Sequence, residues 1–175
     1  MSRAPAARYT LGVEEAKIRE LVEQLFMKSL FVGLTPGQTE SLVRRMELVT
    51  YPRDAVIMKE GDPGDAIYVL LTGSVRVVKG ERTVATIEGG DWMSAQYSGD
   101  FFGEMSLVDL EPRSATIEAV EEVRMLRFAR EPLLEYLKTD KDAHLVLLTN
   151  IARILSRRLR ASSQGPAPAS GPPSA

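Results

Sequence analysis

The stretch that decides the fold runs from Phe102 to Thr116, FGEMSLVDLEPRSAT. It places a Gly-Glu pair, a short apolar turn and then Arg-Ser-Ala-Thr, with eight residues between Glu104 and Arg113. Each part has a use in holding a sugar and a phosphate together. Glycine lets the backbone approach a ligand, because it has no Cβ to collide. Amides at the start of a short helix, here around Gly103 to Ser106, aim unpaired N–H groups at an anion. The planar fork of Arg113 matches phosphate oxygens, and the Ser114 hydroxyl adds a donor. A carboxylate at Glu104 would repel phosphate, but it accepts hydrogen bonds from a ribose hydroxyl. The segment reads as a cassette for a sugar phosphate.

An upstream block accompanies it: Glu60-Gly61-Asp62-Pro63-Gly64-Asp65, running into Tyr68-Val69-Leu70-Leu71 and then Gly73-Ser74-Val75. Around these blocks the hydrophobic period changes twice. Ile18, Leu21, Val22, Leu25 and Phe26 recur at helical spacing. Thr35, followed by Pro36 and by Gln38 three residues on, is a helix start with a capping box, and that helix would turn Leu42, Val43 and Met46 inward. From 46 to 90 and from 114 to 129 the pattern is that of short strands, with Ile67, Val69 and Leu71 on one face and Tyr68 and Leu70 on the other. Turn residues at Pro52-Arg53-Asp54, Asp62-Pro63-Gly64, Thr72-Gly73 and Gly89-Gly90 separate them. Many short strands closely spaced predict a barrel or jelly roll. After Pro132 the chain is helical again, with Leu147, Leu148, Ile151, Ile154, Leu155 and Leu159 forming an apolar stripe wide enough for two partners.

The two blocks, in this order, resemble the phosphate-binding region of the cyclic nucleotide-binding domain family, over roughly residues 30 to 160. The resemblance implies a double-stranded β-helix (jelly roll) of eight strands flanked by helices. The expected organisation is a flexible N-terminus at 1–12, N-terminal helices at 13–45, the β-roll at 46–130 with its cassette at 101–116, closing helices at 131–163 and a disordered Pro/Ala/Ser tail at 164–175. It further implies that Arg113 pairs with the cyclic phosphate, that Glu104 accepts from the ribose 2′-hydroxyl and that Ser114 adds a phosphate hydrogen bond. Phe102, Gly103, Met105 and Ser106 would supply backbone donors or the pocket floor, Met105 being equally suited to plain core. Ala115 and Thr116 complete the match as strand residues. Val69 and Leu71 either line the base and ribose pocket or are ordinary buried strand residues. Ser162 and Ser163 fall where the catabolite activator branch of the family reads adenine. A hydroxyl at 114 suits cyclic AMP and cyclic GMP alike, so cyclic AMP is favoured only by the cassette's bacterial look and by that serine pair.

Other features bound the reading. The 175 residues suffice for one domain, with 44% apolar and 26% charged residues. A net charge of −2 argues against a general nucleic-acid surface. Without cysteine there are no disulfides or thiolate metal sites, and the single histidine, His144, leaves too few ligands for a metal-dependent enzyme of the β-helix type. No apolar run spans a bilayer and the first residues lack a secretion signal, which predicts a cytoplasmic protein, neither enzyme nor membrane-bound. No helix-turn-helix follows the closing helices, so direct DNA binding is not expected. The output would pass to an effector protein, or to a second copy through the C-terminal helix. Gly-Asp occurs twice, at Gly90-Asp91 and Gly99-Asp100, and WMSAQYS between them reads as an insertion beside the site. Its Trp92 and Tyr97 either stack on a base or cover the roll.

Overall fold

In the computed structural model, residues 7–10, 15–26, 28–89, 100–105 and 111–163 are described, the side chains of 7–10, 161 and 162 excepted. The insertion around Trp92 and Tyr97, Ser106 and the tail at 164–175 therefore lie outside the described residues.

Two antiparallel sheets carry the fold. The first orders as β1 (Ala7–Thr10), β2 (Glu47–Tyr51), β9 (Val123–Ala129), β4 (Ala66–Thr72) and β7 (Phe101–Phe102). The second orders as β3 (Val56–Met58), β8 (Thr116–Ala119), β5 (Ser74–Lys79) and β6 (Arg82–Glu88). This is the jelly roll expected from the sequence, with one strand more. Ala7–Thr10 pairs along β2 from Ala7↔Thr50 to Thr10↔Glu47, so this part of the N-terminus is a strand rather than loose chain. Its Ala/Pro-rich surroundings hide it, because edge pairing is made by backbone groups of any composition.

β4 explains the placement of everything else. Its alternation sends Ile67, Val69 and Leu71 to one face and Tyr68 and Leu70 to the other, and both faces are buried. Tyr68 and Leu70 join Ile57, Met58, Val75, Ile87, Phe102 and Ile117 in the core between the sheets. Ile67, Val69 and Leu71 join Leu21, Leu25, Leu42, Val43, Leu147, Ile151 and Ile154 in a second core under the helices.

Those helices are α1 (Glu15–Leu25), α2 (Pro36–Val43), α3 (Arg130–Thr139) and α4 (Lys141–Ser163). Helix α2 opens with the capping box expected of Thr35 and Gln38. Helix α1 stops at Leu25, and Phe26, the last of the apolar residues at helical spacing, is 57% exposed in the turn beyond. Pro132 lies within the first turn of α3 instead of before it, a position where a missing N–H costs no hydrogen bond. The break between α3 and α4 falls at Asp140. Its carboxylate caps Ala143 N–H at 2.9 Å, accepts from the Gln38 side-chain amide of α2 at 3.2 Å and from the Tyr136 hydroxyl at 3.0 Å. The Ala143 amide, followed by these partners, holds the Asp140 carboxyl below the usual aspartate range. Burial and the Asp140 contact push the Tyr136 phenol up to about 12.

Candidate functional site

The cassette begins on β7, an edge strand pairing Phe102 with Tyr68 and Phe101 with Val69 of β4. Phe102 stacks on Tyr68 with ring centroids 5.4 Å apart. Gly103 then takes a φ of +82°, where a side chain is strained. A Cβ there would meet Arg113 Nη1 at 2.8 Å, the Ala66 carbonyl at 2.9 Å and Met58 Cε at 3.2 Å. The glycine thus does two things at once: it turns the chain and leaves room for the guanidinium.

Arg113 is buried and held by backbone on both sides. Its Nη1 donates to the Gly103 carbonyl at 3.2 Å and its Nη2 to the Ala66 carbonyl at 2.9 Å. Asp65 lies 3.4 Å from the same Nη2 and 2.7 Å from Nη2 of Arg127, bridging the two guanidinium groups. The Arg113 backbone is pinned to the upstream block, donating to the Asp62 carbonyl at 2.8 Å and accepting from Gly61 N–H at 2.9 Å. Burial lowers the affinity of Arg113 for its proton, against the pull of Tyr68 and Asp65. Burial also acts downward on Arg127, but there Asp65 and Tyr68 outweigh it and the result is a rise. Arginine stays charged through such shifts, so Arg113 presents a fixed cation.

Glu104, also buried, has a partner the sequence did not announce. Arg158 of α4 reaches it at 2.9 Å, donates to the Phe101 carbonyl and lies 5.4 Å over the Phe101 ring. A signal for this contact exists in the sequence. Arg158 comes four residues after Ile154, on the helix face that buries Leu147, Ile151 and Ile154, and a charge on a buried face requires a partner.

These groups border one cavity of about 460 Å³. Gly103, Glu104, Arg113, Ser114 and Arg158 form its polar end. Met58, Val77, Val84, Ala85, Ile87, Phe102, Met105, Pro112, Ala115 and Ile117 give it apolar lining, and Glu111 adds a second carboxylate-bearing residue to the lining. Of the residues expected at the site, Phe102, Gly103, Glu104, Met105, Arg113, Ser114 and Ala115 are therefore gathered here. Thr116 is not: its hydroxyl accepts from Glu60 N–H at 3.0 Å and joins the upstream block to β8. Val69 and Leu71 lie in the core under the helices, on the opposite face of β4, which corrects their expected place in the pocket. Ser163 donates to the Leu159 carbonyl of its own helix at 2.9 Å, and the Ser162 side chain is outside the described residues. Among the described residues no cluster of His, Asp and Glu could hold a metal, and no helix is long and apolar enough to cross a membrane.

The class defined by this fold and cavity is a jelly-roll domain with an arginine and a carboxylate facing one pocket beneath a closing helix. The profile of the cyclic nucleotide-binding domain matches residues 48–140, and the chain belongs to that family. It is 30% identical over 142 residues to the CRP-like cAMP-activated global transcriptional regulator of Mycobacterium tuberculosis, covering 79% of this chain and 58% of that one. It is 35% identical over 136 residues to the cyclic AMP receptor protein of Thermus thermophilus, covering 75% and 57%. The chain thus spans somewhat more than half the length of these relatives. A cyclic nucleotide-binding domain from Methylobacillus flagellatus superposes with a TM-score of 0.72 at 27% identity, covering 90% of this chain and 86% of that structure.

Proposed function

We propose that this chain is a cytoplasmic sensor of a cyclic nucleotide, cyclic AMP in preference to cyclic GMP, that binds its ligand without turning it over. One observation carries the reading: Arg113 and Glu104, nine positions apart in sequence, line the same 460 Å³ cavity, and Arg158 of α4 closes on the carboxylate. The cyclic phosphate would take Arg113 and Ser114, the ribose 2′-hydroxyl would take Glu104, and the base would lie along Val77, Val84, Ala85 and Ile87. A ribose hydroxyl on Glu104 has to share or displace Arg158, so occupancy acts directly on α4. Such a ligand shifts the helix only by its differential affinity for the two arrangements. The preference for cyclic AMP draws on what the Mycobacterium and Thermus relatives are named for. Calorimetry with cyclic AMP, cyclic GMP and cyclic di-GMP tests this. Heat with cyclic AMP at micromolar concentration is the expected result, and silence with all three would sink the reading.

The receiving partner is a second copy of the chain along α4. Leu145, Leu148, Ala152, Leu155 and Leu159 repeat at alternating spacings of three and four, the seam of a two-stranded coiled coil. Leu145 is 67% and Leu159 69% exposed, while Arg153, Arg157 and Arg160 fall off that seam, where they do not oppose their equals across it. Sedimentation velocity is expected to show a dimer that Leu148→Glu converts to monomer; a wild-type monomer at high micromolar concentration excludes this partner.

A further inference from the structure

Asp100 is completely buried, although it precedes the cassette and faces no cavity described above. Its carboxylate accepts from the Ser29 hydroxyl at 2.5 Å and from the Ser29 amide at 3.2 Å, with Lys28, itself 5% exposed, 3.8 Å away. These partners come from the segment that follows α1, 71 residues distant in sequence. The Asp100 carbonyl accepts from Leu70 N–H of β4 at 2.7 Å, so the residue is fixed at both ends. The same segment is tied to α4: buried Asn150 donates to the Leu30 and Val32 carbonyls at 2.9 and 2.8 Å. Residues 28–32 therefore form a polar bridge from the entry of the cassette to the closing helix, separate from the Arg158–Glu104 contact.

We propose that Asp100 is a positioning residue for nucleotide binding, and that the 28–32 segment is a second link between the site and α4. This rests on the sensor reading above. A carboxylate taken out of water is retained at a cost, and it is held in place only by partners that satisfy it. Asp100 stands four residues from Glu104, with Phe101 and Phe102 paired to β4 and Gly103 turning the chain between them, so a shift at Asp100 is passed to the ribose-binding carboxylate. By reciprocity, ligand that fixes Glu104 must also steady the Ser29 amide.

The test uses the full chain and cyclic AMP. Amide exchange at Ser29 is expected to slow when cyclic AMP is added to the wild type. Asp100→Asn, which keeps an acceptor but loses the charge beside Lys28, is expected to weaken cyclic AMP binding by about tenfold, as loss of one member of a buried pair would. Ser29→Ala, the milder change, is expected to act in the same direction and keeps the question open to measurement if Asp100→Asn does not fold. A purely structural role would lower the melting temperature and leave affinity unchanged. If both folded variants bind within about twofold of wild type, less than contacting residues ordinarily show, the positioning role is overturned while the sensor reading stands. If the wild type itself binds no cyclic nucleotide, the sensor reading fails and this role falls with it.

Discussion

Arg113→Ala is expected to cut affinity for cyclic AMP at least about 30-fold, because truncating one partner of a buried charge pair costs about 2–5 kcal/mol. Calorimetry on folded variant, checked by circular dichroism, measures it. The residue also serves the protein itself, since its two donors satisfy the Gly103 and Ala66 carbonyls. Removing them takes a charged donor from each carbonyl, and a hydrogen bond to a charged group contributes about 1.5–3 kcal/mol of stability. The two effects separate through Arg113→Lys, which restores the cation but not the planar fork that reaches two carbonyls and a phosphate together. Lysine should recover part of the binding and little of the stability. Full affinity in Arg113→Ala would remove the phosphate from this end of the cavity.

Gly103→Ala is expected to damage both stability and binding, although it adds only a single methyl group. The backbone angle disfavours any side chain, and the new Cβ has no soft neighbour to push aside on the Ala66 carbonyl side. Strain of this kind and overpacking each cost about 1–3 kcal/mol, so a loss of about 2–6 kcal/mol is expected in urea or thermal unfolding. Because the methyl also presses on Arg113, cyclic AMP affinity should fall with stability. Gly37→Ala is the control: it lies in α2 with nothing within 4 Å of the added Cβ, and it should be neutral or slightly stabilising. Equal behaviour of the two variants would contradict the crowding described at Gly103.

These two residues were also the most legible in the sequence, and the reason is locality. Gly103, Glu104, Arg113 and Ser114 belong to one short stretch whose chemistry can be read without knowing what packs on it. The capping box of Thr35 and Gln38 and the alternation along β4 are equally local. Arg158 is not legible as part of the site, because it contacts Glu104 across 54 residues and differs from Arg157 and Arg160 only in helical phase. Asp100 reads in the sequence as one half of a repeated Gly-Asp that flanks an insertion, yet its meaning depends on Lys28 and Ser29. Val69 and Leu71, apolar strand residues near the motif, suit either a pocket lining or plain core. A strand buried on both faces gives no sign of which core each face joins, and here Val69 and Leu71 join the one under the helices.

The helix that carries Arg158 has one further property. Between its cap at Asp140 and Arg158, α4 runs without interruption, and each residue advances the helix by about 100°. Deleting or inserting one residue in that span would swing Arg158 off Glu104 and turn the leucine seam a quarter of the way round the cylinder. The same edit would leave composition, charge and helical propensity almost unchanged. For this segment, length is the specification: the count of residues from Asp140 decides which arginine meets the carboxylate and which side of the helix is left for a partner.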